Sequence, residues 1–238
     1  GPEQPPAPFY NILPYLEQQA LHDYGKGETD SQKLTSRMTL LSTAIPGYYC
    51  PSRRAAKTYH SNHTMRNSNY VQMVARTDYA GNCGNFQYQL GPGPSSYPQG
   101  DQIVADRSWP DNTSCRGLCF HYSTVTPAHI RDGLSNTLIV AEKTIDPDHY
   151  ATGLIGTEDQ NAYIGYDGDI LRSSSLMPVQ DRPGSGQSWA FGSAHAGNFN
   201  AAMCDGSVRS ISYNVDQANW DRITNRSDGG VIDTRAIE

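Results

Sequence analysis

The sequence has few charged residues and no long apolar run. Only 18% of its 238 residues are charged and 37% are hydrophobic, and no apolar stretch approaches the roughly 18–20 residues that cross a bilayer. Lys and Arg form no cluster and the formal net charge is −6, which argues against an electrostatic grip on nucleic acid. Glycine-rich nucleotide-binding motifs are also missing. We therefore predict no nucleic-acid partner, and no bilayer-spanning segment among these residues.

The sequence also lacks a Cys-x-x-Cys pair, which weakens the case for a zinc site. Cys115 and Cys119, with His121 close behind, come nearest to a zinc pattern but have no convincing fourth ligand. A disulfide that involves Cys115 or Cys119 is the favoured reading, with free thiols as the alternative. The pairing stays open for all five cysteines, which are Cys50, Cys83, Cys115, Cys119 and Cys204.

Turn-forming residues and tyrosines are abundant instead. The chain has 22 glycines, 15 prolines and 15 tyrosines against 5 phenylalanines. Residues 1–8 are expected to be a linker or a cloning remnant, and 9–238 a single domain. Within that domain, 84–118 and 146–190 are predicted to be long loop excursions, because they are rich in turn residues and poor in periodic apolar patterns.

The remaining patterns indicate an α+β fold. Apolar spacing predicts one helix over 9–24 and a second helix after Asp30. The run Thr137–Glu142 predicts a strand buried on both faces. Asp205-Gly206 between two extended segments predicts a C-terminal β-hairpin, followed by a short helix. Helices first and mainly antiparallel strands afterwards favour α+β over a parallel βαβ arrangement.

Catalytic motifs are weak in this sequence. The segment 186–190 resembles a nucleophile elbow but ends in Ala instead of Gly. Ser193 and His195 are close in sequence, which does not make a triad. His195 and Asp205 are separated by a predicted strand, so a structural role is expected for both, with Asp205 setting the turn. We predict that the protein is not an enzyme.

Two weaker binding sites can be read from the loops. Asp159, Asp167 and Asp169 offer hard oxygen ligands that suit calcium, although they do not fit an EF-hand, and calcium is the one cofactor considered. His60 and His63 are interpreted as solvated loop residues. Aromatic residues in polar loops could stack on sugars and bind a glycan, or could simply pack their own loops: Tyr88, Tyr97, Trp109, Tyr163 and Tyr166.

Several segments together resemble one known family. The stretch from His195 to Asp205-Gly206 has the spacing of the H-X9-DG signature, the mark of a prepilin-processing-associated domain of unknown function that is abundant in planctomycetes. Four other segments fit the same family in the same order: Ile12–Gln18, Cys50–Arg54, Arg76–Ala80, and Asp132-Gly133 with the strand that ends in Glu142-Lys143.

The resemblance implies a fold and a location but no catalytic residues. It implies the pilin-like or pseudopilin-like α+β head of an extracytoplasmic protein, at the cell surface or in the periplasm. Such a head is anchored by an N-terminal apolar helix that this sequence lacks, and other pilin-like subunits are its expected partners. Some members carry a solute-binding label, so an extracytoplasmic polysaccharide- or solute-binding module is the alternative function.

Overall fold

A computed structural model describes most of the chain, namely residues 7–65, 68–87, 95–96, 98–100, 102, 114–121, 123–156, 158–185 and 189–233. Within these residues no helix is both long enough and apolar enough to cross a membrane.

The N-terminal part is helical, but in short pieces. Helix α1 (Pro8–Asn11) and helix α2 (Gln19–His22) are separated by a 3-10 turn. The prediction of one helix over 9–24 is therefore wrong. Pro14 has no N–H to donate to the carbonyl of Tyr10, and Glu17 adopts a left-handed conformation with φ of 59° that ends the turn.

Helix α3 (Asp30–Leu41) follows as predicted, and its start has a clear local cause. The Thr29 hydroxyl accepts the N–H of Gln32, and the Gln32 side chain accepts the N–H of Thr29 at 3.0 Å. This reciprocal capping satisfies two N–H groups that would otherwise lack partners. The helix packs Leu41 into a small apolar cluster.

Two sheets follow. Strands β1 (Thr58–His60) and β2 (Met73–Ala75) form an antiparallel ribbon. The main sheet has the order β5-β3-β4-β6-β7, and all its pairs are antiparallel except β3 with β5. Its strands are β3 (Tyr79–Asn82), β4 (Leu138–Glu142), β5 (Leu171–Arg172), β6 (Asn198–Met203) and β7 (Val208–Ser212). The predicted α+β class is confirmed.

Strand β4 lies in the middle of this sheet, as its apolar run suggests, but it is not buried on both faces. Leu138 is fully buried while Ile139 is 38% exposed. The pairing with β6 is also irregular between Leu138 and Val140. Strand β4 thus pairs with β3 on one side and β6 on the other, but one of its faces is partly exposed.

The C-terminal region has the predicted hairpin and short helix. Strands β6 and β7 are joined through Asp205-Gly206, where Gly206 has a φ of +87° that suits glycine. Helix α4 (Gln217–Thr224) begins at Asp216, whose side chain accepts the N–H of Asn219. Its Trp220 is fully buried among Phe191 and Phe199.

The two predicted excursions differ. Most of the first excursion, 84–118, lies outside the described residues. Its two ends are in close backbone contact, since a Cβ on Gly117 would lie 2.2 Å from the N of Gly84. The second, 146–190, contains β5 and several fully buried side chains, among them Glu158 and Arg172. The segment therefore contributes side chains to the core although it has little regular structure.

Candidate functional site

Six charged side chains form a buried ionic cluster in the interior of the fold. Each belongs to a residue that is no more than 8% exposed. They come from distant parts of the chain, and we call them the buried ionic cluster: Arg53, Arg54, Asp78, Lys143, Glu158 and Asp181.

The cluster is a connected chain of ion pairs. The Arg54 guanidinium bridges Asp78 Oδ1 at 2.6 Å and Glu158 Oε1 at 2.5 Å. Lys143 Nζ lies 2.5 Å from the other oxygen of Glu158. Arg53 Nε lies 2.9 Å from Asp181 Oδ2 and its guanidinium also donates to the Lys143 carbonyl. Buried charges need this degree of pairing, because removing them from water is costly.

The electrostatics of the cluster favour the charged form of Glu158, whereas burial works against the charged forms of Lys143 and Asp181. Burial alone would raise the pKa of Glu158, but the charges of Arg54, Lys143 and Arg76 outweigh it and lower that pKa to about 2. Burial lowers the pKa of Lys143 to about 8 against the opposing pull of Glu158. The pKa of Asp181 is raised by burial. The arrangement holds loops together and leaves no side chain of the cluster open to a substrate.

A second group of side chains lies beside this cluster and is more accessible. Cys50, Glu142 and His195, which we call the Cys50 site, place one donor atom each within 4.8 Å of one another. No other set of three or more His, Cys, Asp or Glu in the described ranges meets that condition. Cys50 and Glu142 are buried, whereas the His195 side chain is 32% exposed.

Both neighbours of His195 face the same ring nitrogen. His195 Nε2 lies 3.7 Å from Cys50 Sγ and 3.3 Å from Glu142 Oε1. In a catalytic triad the nucleophile and the acid occupy opposite nitrogens of the imidazole, so that one gives up a proton while the other orients the ring. Burial and the nearby Glu142 carboxylate raise the pKa of the Cys50 thiol, which is opposite to the activation of a nucleophilic cysteine.

The surroundings of the Cys50 site hold its members in place. The other oxygen of Glu142, Oε2, accepts the N–H of Asn200 at 2.7 Å. The N–H of Cys50 donates to Asp78 Oδ2 at 2.9 Å, which ties the site to the buried ionic cluster. The loop of His195 is fixed where its N–H donates to Ser193 Oγ. Glu142 Oε1 itself is buried and has no hydrogen-bond partner among the described residues.

The comparison with protein families covers almost the whole chain. A model described as "Protein of unknown function (DUF1559)", with the short label SBP_bac_10, matches residues 2–218. The chain belongs to this family. No curated protein and no solved structure matches it. The part that matches the DUF1559 model includes every member of the buried ionic cluster and of the Cys50 site.

Within this DUF1559 chain, His195 and Asp205 lie at opposite ends of β6. Asp205 occupies the hairpin turn, where its Oδ1 accepts the N–H and the hydroxyl of Ser207. Asp132 receives the N–H groups of Asp228 and Gly229, so it anchors the segment after α4. Gly133 follows with a φ of +98°. The contacts of His195 with Cys50 and Glu142 were not predicted from the sequence, although all three residues belong to segments that resemble the family.

The predicted calcium ligands do not converge. Asp159 Oδ2 pairs with His63 Nε2 at 2.8 Å, which also corrects the reading of His63 as merely solvated. Asp167 Oδ1 accepts the N–H of Asp169, and Asp169 Oδ1 accepts the N–H of Gln160. Asp159 thus pairs with a distant segment while Asp167 and Asp169 accept backbone N–H groups nearby, and the described residues contain no oxygen cage at this place.

The predicted aromatic binding residues are only partly described. Tyr88, Tyr97 and Trp109 lie outside the described residues. Tyr163 contacts Tyr10 and Tyr48 edge to face, and Tyr166 contacts His121 and Trp189. Both described rings pack within the domain, which is the alternative that the sequence left open.

The cysteines are all free thiols in the structure. The favoured prediction of a disulfide at Cys115 or Cys119 is therefore wrong here. Cys115, Cys119 and His121 also fail to gather into a three-ligand metal site. Burial raises the pKa of both Cys83 and Cys119 to about 12, so these thiols are protonated and unreactive.

Proposed function

We propose that this domain is the non-enzymatic head of a membrane-anchored, pilin-like or pseudopilin-like extracytoplasmic protein that acts in assembly or recognition. An apolar helix on the N-terminal side of the head would supply the anchor and the contact with other subunits. The H-X9-DG resemblance suggests this assignment, and the α+β fold is compatible with it.

One observation carries the non-enzymatic part of the proposal. Four charged residues of the family-like segments, Arg53, Arg54, Asp78 and Lys143, are members of the buried ionic cluster, where they pair with one another and with Glu158 and Asp181. Charges that are buried and paired in this way hold the fold together and are not free to act on a substrate. The Cys50 site adds support, because both its other members face one nitrogen of His195, which does not suit a nucleophile–base–acid relay.

The N-terminus of the native full-length protein tests this proposal. Mass spectrometry of membrane and secreted fractions should find a processed, N-methylated residue that leads an apolar helix. The physical reason is that an apolar helix of about 20 residues is long enough to hold the head at the membrane. A signal-peptidase cut near Gly1 would contradict the proposal.

That second outcome would favour a free polysaccharide- or solute-binding module. A specific feature supports this alternative: a depression of about 510 Å³ between the loop after β5 and the end of β7, within the usual size range of ligand pockets. It offers apolar, amide and cationic groups and is lined by Pro178, Val179, Gln180, Arg182, Ser185, Gly197, Tyr213 and Asn214.

A further inference from the structure

The Cys50 site places a thiol, a carboxylate and an imidazole close together. Glu142 is 1% exposed, and the contacts of its Oε1 are long, since the nearest ion-pair partner, His195 Nε2, lies 3.3 Å away. A buried carboxylate oxygen that lacks a short hydrogen bond is costly. The thiol and the imidazole nitrogen beside it are also donor atoms for a cation. Three donor atoms that lie within 4.8 Å of one another are suited to hold a cation between them.

We propose that Cys50, Glu142 and His195 bind a divalent transition-metal ion of the zinc class, as thiolate, carboxylate and imidazole ligands. Such three-ligand sites leave a fourth position for water, and here the partly exposed His195 marks the open side. On binding, the Cys50 thiol loses its proton to the buffer. The inference does not depend on the proposed function, since an anchored head and a free module could both hold the ion.

The spacing of the donor atoms supports this proposal. With bonds of about 2.3 Å to sulfur and about 2.0–2.1 Å to nitrogen and oxygen, a tetrahedral ion separates sulfur from nitrogen by about 3.6 Å and nitrogen from oxygen by about 3.4 Å. The structure has 3.7 Å between Cys50 Sγ and His195 Nε2, and 3.3 Å between that nitrogen and Glu142 Oε1. These two distances are close to those of a ligand set, and the third, between Cys50 Sγ and a Glu142 oxygen, is no more than 4.8 Å.

The ligand chemistry narrows the choice of ion. Thiolate and imidazole suit zinc and its neighbours, whereas magnesium and calcium prefer oxygen ligands. The surroundings also resemble those of built metal sites, where backbone groups orient the ligands. Asn200 N–H fixes the Glu142 carboxylate through Oε2, and Asp78 fixes the backbone at Cys50. The three donors come from a loop, a strand and a second loop, so a bound ion would fasten these segments together.

The test is metal binding by the whole chain after removal of metal with a chelator. Zn²⁺ titrated against a chromophoric competitor should bind with one-to-one stoichiometry. Co²⁺ in its place should give a thiolate-to-metal charge-transfer band and the intense visible bands of a tetrahedral site. Cys50→Ser should abolish the charge-transfer band, and Glu142→Gln and His195→Gln should each weaken Zn²⁺ binding by at least about tenfold.

Matched variants decide between this site and others. Cys204→Ser and His63→Gln remove a thiol and an imidazole elsewhere, and both should leave the affinity and the cobalt spectrum unchanged. His195→Gln alters a side chain that is 32% exposed, so its far-ultraviolet circular dichroism should match the wild type even if the buried variants fold poorly. No Zn²⁺ binding by the wild type, or binding that Cys204→Ser weakens while folded His195→Gln does not, would overturn the proposal.

Discussion

At the scale of single residues, Glu158 joins two cations of the buried ionic cluster. Both its oxygens are engaged, one by Arg54 and the other by Lys143. Its pKa of about 2 lies below the usual 4.5 because these cations outweigh the effect of burial. A lowered pKa in the folded state stabilises the fold above the unfolded pKa. That contribution is lost as the pH falls from about 4.5 towards 2.

We therefore expect Glu158→Gln to lower the free energy of unfolding at neutral pH by about 3–5 kcal/mol, because it removes the carboxylate that pairs with the buried Lys143 and leaves Arg54 with Asp78 alone. The variant should also lose part of the acid sensitivity of the wild type between pH 4.5 and 2. Asp181 affects the pH dependence of stability in the opposite direction, since burial raises its pKa. The quantity to compare is therefore the difference in the free energy of unfolding between wild type and Glu158→Gln at each pH. Urea unfolding at a series of pH values measures it.

Asp30→Asn is the matched control for this prediction. Asp30 pairs with Lys33 at 3.4 Å, but its side chain is 65% exposed, so solvent screens the pair and the change should cost less than about 0.5 kcal/mol. Equal losses from the two variants, or an unchanged acid profile in Glu158→Gln, would show that the cluster does not stabilise the fold in this way.

At the scale of elements, the sequence predicted well the elements that depend on nearby residues and predicted badly those that depend on distant ones. Helix α3 and the β6–β7 hairpin depend on nearby residues, the capping Thr29 and the turn at Asp205-Gly206. The prediction of one N-terminal helix was wrong because Pro14 interrupts the hydrogen bonding that the apolar spacing suggested. The core role of 146–190 was invisible because its partners, such as Arg54 for Glu158, are about a hundred residues away.

The break between α1 and α2 leads to a prediction about Glu17. This exposed residue has a φ of 59°, a left-handed conformation that costs about 1 kcal/mol or more for residues other than glycine. Glu17→Gly should therefore raise the free energy of unfolding by about 0.5–1 kcal/mol, as urea denaturation would measure. Gln19→Gly, at the start of α2, should have the opposite sign. A loss of stability in Glu17→Gly would contradict this reading of the turn.

At the scale of the whole molecule, two large apolar clusters share the domain. The first joins Phe9 and Leu13 to Ile170 and Leu171, and the second joins the inner face of β4, β6 and β7 to Trp220. The Cys50 site could be predicted only in part, because its members, like those of the apolar clusters, are far apart in the sequence. His195 was identified from its spacing to Asp205, but its contacts with Cys50 and Glu142 are made across 145 and 53 residues of chain.

The two clusters should unfold together, because β3 and β4 are paired in one sheet and the buried ionic cluster ties the surrounding loops to it. We expect Phe9→Ala and Trp220→Ala, one in each cluster, to lower the free energy of unfolding by about 3–5 kcal/mol each. Each should shift a single transition, and circular dichroism and tryptophan fluorescence of the Phe9→Ala protein should coincide.

Val208→Ala is the control, since Val208 is 69% exposed and its truncation should cost less than about 0.5 kcal/mol. Two separate transitions in the Phe9→Ala protein would mean that the N-terminal cluster is a unit of its own. The buried ionic cluster would then be a contact between two units instead of the centre of one. A single transition in all three variants would mean that the two apolar clusters and the buried ionic cluster unfold as one cooperative unit.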